Sequence, residues 1–82
     1  MSYEKVLQAK KITIGTKQTV KALSTNSVLE VIIAEDADQN LKELIIDQTL
    51  KTGVKVSYVD SMKKLGNACG INVKAAAVAI LM

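Results

Sequence analysis

The residues best placed to do chemistry lie in the run Lys11-Ile-Thr-Ile-Gly-Thr-Lys-Gln-Thr-Val-Lys21. Ile12 and Ile14 alternate as a short strand does, and Gly15 lets the backbone turn sharply and come close to a partner. The helix that follows opens with N–H groups that have no partner inside the helix, and such groups attract anions such as phosphate. Its first turns carry Lys17, Gln18 and Lys21. At 3.6 residues per turn, Lys17 and Lys21 share one face with Gln18 at its border, while Thr19, Val20 and Leu23 fall on the other side. One edge of this helix suits packing and the other suits a polyanion.

Catalysis finds little to work with. The 82 residues include no His, so the commonest acid or base at neutral pH is missing, and no Ser/His/Asp or Cys/His set can be assembled. Cys69, the one cysteine, falls near a helix C-terminus, where the dipole disfavours a thiolate; it reads as a small packed residue. For a metal only carboxylates remain. Glu35-Asp36-Ala37-Asp38 lacks the ordered spacing of a calcium loop and reads as the acidic entry to a helix. No Walker loop is present. The expectation is a non-enzyme without metal or cofactor. The aromatic residues are Tyr3 and Tyr58, and Tyr58 is expected on the core side of a strand, so a base-stacking platform is not expected. All eleven basic residues are Lys rather than Arg, the better bidentate reader. Recognition by shape and phosphate contact remains.

Charge is segregated along the chain. Residues 1–21 carry a net +4, residues 22–60 a net −4 and residues 61–82 a net +3. Basic ends around an acidic middle suit a fold whose two ends meet on one polyanion-binding face; ordinary surface charge is the alternative. Lys5, Lys10, Lys11, Lys63 and Lys64 are weaker candidates that would add non-specific attraction. A single cysteine and no visible secretion signal point to the cytoplasm. The longest apolar run, Ala75 to Met82, is too short for a bilayer. No membrane or DNA partner is expected, and a chain this charged reads as a monomer.

These residues must be positioned by a small set of elements. A first helix runs to about Ala9, followed by strand Ile12–Ile14 and helix Thr16–Leu23. Val28–Ala34 is the clearest strand, apolar enough to be buried on both faces. A third helix, about Gln39 to Lys51, carries an apolar stripe of Leu41, Leu44, Ile45 and Leu50, and Gly53 ends it. Val54–Val59 alternates as a half-buried strand. Ser61 caps a helix from Met62 to about Cys69. After a loop at Ile71–Lys74, Ala75–Leu81 forms the last strand. The alternation makes the class α/β: one domain over residues 1–82, a three-layer α/β/α sandwich around a central four-stranded mixed sheet.

The same residues carry a resemblance. Gly15-Thr16-Lys17-Gln18-Thr19-Val20-Lys21 is similar to the Gly-x-Asn-Glu-x-x-Lys motif of the ribosomal L-seven-Ae/L-thirty-e family of kink-turn RNA-binding proteins. Val31-Ile32-Ile33-Ala34-Glu35-Asp36 resembles that family's central strand and acidic exit. Leu65-Gly66-Asn67-Ala68-Cys69-Gly70-Ile71-Asn72-Val73 resembles its Leu-Gly-x-Ala-x-Gly helix end and loop, and Val78-Ala79-Ile80 its last strand. The match spans nearly the whole chain in order and is nearest the short bacterial members. It implies a helix start that enters the groove at tandem sheared G·A pairs, with an apolar loop covering a flipped-out nucleotide. On that basis Gly15 and Thr16 would bring backbone N–H groups to RNA, and Lys21 matches the family's Lys. Lys17 and Gln18 stand where larger members carry Asn and Glu. Ile71 and Val73 match the apolar loop, with Asn72 between them and Lys74 in place of a frequent Pro. Gln18 offers one acceptor and two donors without charge, which shifts or relaxes base preference. The resemblance implies stabilisation of a bent kink-turn, in association with ribosomes or ribonucleoprotein particles. The alternative is a protein-interaction module on the same fold, with specific RNA binding reduced or lost.

Overall fold

The apolar run Val31-Ile32-Ile33-Ala34 lies at the centre of the molecule with no solvent exposure, as a strand covered on both faces requires. The structure, a computed structural model, describes residues 2–82. Its elements are α1 (Ser2–Gln8), β1 (Ile12–Ile14), α2 (Thr16–Ser24), β2 (Val28–Ala34), α3 (Gln39–Thr52), β3 (Lys55–Val59), α4 (Met62–Ala68) and β4 (Ala77–Leu81). The sheet order is β1-β4-β2-β3. β4 runs antiparallel to both β1 and β2, and β3 runs parallel to β2, so the sheet is mixed. No helix among the described residues is long and apolar enough to cross a membrane.

Side chains alternate across the strands and build two cores. On one face Ile32, Ala34 and Val78 pack with Val6 of α1 and Leu65 of α4. On the other, Val31, Ile33, Ala77 and Ala79 pack with Leu23 of α2 and Ile45 of α3. Three layers result, α1 and α4 on one side and α2 and α3 on the other. Small residues in β4 let both helical layers come close to the sheet.

Local signals set the helix ends. The Asp38 carboxylate accepts from the Asn40 N–H at 2.8 Å, and the Ser61 hydroxyl accepts from the Lys64 N–H at 3.2 Å. Such caps contribute about 1 kcal/mol each. Asp36 reaches across the sheet end and accepts from the Met62 N–H at 2.8 Å, tying the exit of β2 to the start of α4. On α1, the Tyr3 hydroxyl donates to Asp60 at 2.5 Å and accepts from the Ser61 N–H at 3.3 Å. Lys5 meets Glu30 at 2.9 Å, and Ser57 donates to the same carboxylate oxygen.

Three expectations are corrected. Tyr58 is 47% exposed rather than in the core. It lies on an edge strand, β3, of which Val56 and the preceding Val54 pack against the α2–α3 core. Of the stripe expected on α3, only Ile45 is buried; Leu41 and Leu44 are exposed, and Leu50 is 76% exposed. The buried line is instead Ile45 and Thr49, one turn apart, with Ile46 beside it. Finally, β4 begins at Ala77 rather than Ala75, because the Ala75 N–H is bonded to the Met62 carbonyl of α4 (3.1 Å) and not to a strand.

Candidate nucleic-acid interface

Gly15 sits at the junction of β1 and α2 with φ 104° and ψ 157°, a conformation that side chains rarely adopt. That turn carries the chain from β1 directly into α2. The Gly15 carbonyl accepts from the Thr19 N–H at 3.0 Å, so the N–H groups of Thr16, Lys17 and Gln18 precede the helical ladder. The Gly15 N–H itself donates to the Ala77 carbonyl at 2.8 Å. It is therefore committed to the sheet, and of the Gly15–Thr16 pair Thr16 keeps its backbone donor. Lys17, Gln18 and Lys21 are exposed, while Thr19 and Leu23 are buried against the sheet. The expected packing side of this helix is therefore the inward one. The Thr19 hydroxyl is buried with no hydrogen-bond partner among the described residues.

The loop after α4 arrives at the same place. Gly70 turns it with φ 80°, and the Ile71 N–H donates to the Gly66 carbonyl at 3.1 Å. Gly66 lies within α4, and a Cβ there would sit 1.9 Å from the Val73 carbonyl oxygen. The helix thus carries a glycine where the returning loop presses against it. Ile71 is half-buried; Asn72 and Lys74 are exposed, and Val73 is 67% exposed. Two residues on, the Ala76 carbonyl accepts from the Ala34 N–H at 3.0 Å, and Ala77 holds Gly15. So the start of α2 and the loop Ile71–Lys74 come to one end of the sheet, where β1 and β2 exit and β4 begins, with Lys21 in the last turn of α2.

The charge of this end is mixed. Lys17, Lys21 and Lys74 lie on its α2 and loop side. The Glu35–Asp38 run follows β2 out of the same end, with Asp36 and Asp38 engaged at the starts of α4 and α3. The expected convergence of both basic ends is only half met. Lys10 and Lys11 lie at the opposite end, where the Leu81 N–H donates to the Lys11 carbonyl at 2.9 Å. Lys5 is paired with Glu30, and Lys64 with Asp60 at 3.3 Å. Lys63 and Asn67, on the outer face of α4, lie beside the loop. The sequence reading ranked Lys63 low and passed over Asn67. Their four-residue spacing next to the Leu-Gly motif was the available signal. Cys69 packs against the α1–α4 core, and burial pushes its thiol up.

Comparison with known proteins finds relatives over nearly the whole chain. The chain is 58% identical over 81 residues to an RNA-binding protein of Geobacillus sp. (strain WCH70), covering 99% of each chain. It is 57% identical over 82 residues to an RNA-binding protein of Bacillus pumilus, covering 100% of each. Among solved structures it is similar to the Giardia lamblia 15.5kD RNA binding protein, with a TM-score of 0.76 and 26% identity over 98% of this chain and 67% of that one. A protein of unknown function from Bacillus halodurans shares the fold, with a TM-score of 0.85 and 24% identity over 98% of this chain and 80% of that one. Residues 2–82 match the ribosomal protein L7Ae/L30e/S12e/Gadd45 family, and to that family the chain belongs.

Proposed function

We propose that this protein binds structured RNA at the sheet end formed by Gly15–Lys21 and Ile71–Lys74, recognises a kink-turn with tandem sheared G·A pairs, and stabilises its bent form. One observation carries the reading. The unpaired N–H groups at the start of α2 and the exposed loop are held side by side through the Gly15–Ala77 bond. Three lysines stand around them, and none of the nine residues is acidic. Thr16, Lys17 and Gln18 offer backbone donors to phosphate or a base edge, Lys21 and Lys74 supply charge, and Val73 offers an apolar cover for an unstacked base. The mechanism is population shift: a protein that contacts only the kinked RNA draws the equilibrium toward it. The setting that fits is the cytoplasm, on a ribosome or ribonucleoprotein particle, as a single-domain monomer.

A kink-turn hairpin labelled on both arms for energy transfer tests this at physiological salt. Bending by the protein, with no bending of a control whose G·A pairs are replaced by Watson–Crick pairs, is the expected result. Equal weak binding to both, abolished by salt, would refute kink-turn recognition. The second reading, a protein-interaction module, draws on a different observation. An apolar groove of about 330 Å³ lined by Ala9, Leu29, Ile80 and Met82 opens at the opposite end of the sheet. A register shift between Val28 and Glu30 turns Leu29 outward there. Failure of RNA bending would favour that reading.

A further inference from the structure

The outer face of α4 carries two residues that the nine above do not include, and they share a groove with three that do. Lys63 and Asn67, four residues apart on one face of the helix, look across a groove of about 470 Å³ at Asn72, Val73 and Lys74. Its size lies within the range of small-ligand sites, about 300–1,000 Å³. The lining holds two ammonium groups, two primary amides and one exposed isopropyl group, with no carboxylate. Neither lysine belongs to an ion pair among the described residues; those pairs are Lys5–Glu30 and Lys64–Asp60. The amides of Asn67 and Asn72 are exposed, and each presents two donors and one acceptor. The groove also has a fixed wall. The Val73 backbone rests on Gly66, so the loop keeps its distance from the outer face of α4.

A phosphate would meet the ammonium groups, a base edge the amides, and a base face Val73. We propose that this groove binds one nucleotide of the RNA, in addition to any nucleotide covered by the apolar loop, and that Asn67 reads its base edge. The proposal rests on the RNA reading above. It moves part of the base preference from Gln18 to α4.

The test pairs protein and RNA changes in one cycle. The kink-turn hairpin is prepared with each unpaired nucleotide replaced in turn by an abasic one, and binding is measured for the natural protein and Asn67→Ala. The expected result is one position where base removal costs the natural protein about tenfold, the size of a good base-edge contact, and costs Asn67→Ala nothing. Lys63→Gln is expected to lower the salt slope by slightly less than one unit through a lost phosphate contact. Both residues are exposed on a helix, so the fold tolerates both changes. If every abasic position affects the natural protein and Asn67→Ala equally while bending persists, the groove proposal is overturned and the RNA reading stands. If the natural protein fails to bend the hairpin at all, both fall.

Discussion

Gly66→Ala tests how the loop is held, and the sign of its effect is informative. In an exposed helix interior, replacing Gly with Ala stabilises by about 1 kcal/mol, since alanine loses less backbone entropy. At Gly66 the new methyl group would lie 1.9 Å from the Val73 oxygen and 3.1 Å from its carbonyl carbon. Those are backbone atoms, so relief requires moving the loop or the helix. Overpacking of this kind costs about 1–3 kcal/mol, and a clash this deep belongs at the upper end. Net destabilisation is therefore about 2 kcal/mol. For 82 residues the unfolding entropy near 60 °C is about 0.17 kcal/mol/K, so each kcal/mol shifts Tm by about 6 °C. Thermal melts followed by circular dichroism should show Tm lower by about 12 °C, with helix content retained below the transition. RNA affinity should fall as well, because Ile71–Lys74 is displaced. A rise in Tm with unchanged affinity would mean that the loop does not rest on α4.

Three further perturbations probe other parts of the molecule. Replacing Lys17 and Lys21 together with Ala should lower the slope of log affinity against log salt by roughly 1.5, slightly less than one unit per phosphate; an unchanged slope would place the RNA elsewhere. Thr19→Val should raise Tm by about 6 °C, since it removes a buried hydroxyl without a partner at a cost of about 1 kcal/mol in the native protein; a lower Tm would show that the hydroxyl is bonded in solution. Burial opposes ionisation of Glu30, but hydrogen bonds from Ser57 and Lys5 outweigh it and hold the carboxyl below its ordinary value. That contribution is complete above the usual glutamate value near 4.3 and is lost as pH falls through the lower native value. The Tm advantage of the natural protein over Glu30→Gln should shrink as pH falls below the usual glutamate value, and parallel melting profiles would contradict it.

The sequence made some of this legible and hid the rest for definite reasons. Val31–Ala34 was readable because a run apolar on both faces has few places to go except the centre of a sheet. The two-sided character of α2 was readable because helical period alone separates Lys17 and Lys21 from Thr19 and Leu23. The faces of α3 were not. Leucines surround that helix, and only its docking angle makes Ile45 and Thr49 the buried line. Tyr58 alternates as a core residue does, but alternation does not say that its strand is outermost. The position of Lys10 and Lys11 depends on which way β1 pairs with β4, and the partner of Ile12 is Ile80, near the far end of the sequence. Gly66 carried a motif without a reason, and the reason is a backbone contact between segments that periodicity does not connect.

The strand order has a consequence for how the molecule comes into being. β4 leaves the synthetic machinery after the other three strands, yet it lies between β1 and β2. Until it arrives, each of those strands lacks a neighbour, and Gly15 lacks the Ala77 carbonyl that holds it. Assembly of the sheet must wait for pairings that span most of the chain, which slows closure compared with local contacts. A nascent chain ending before Ala77 would therefore lack the middle of its sheet, and the sheet end proposed to meet RNA would be unmade at the same moment. Arrival of β4 closes the sheet and sets the Gly15 turn in a single step.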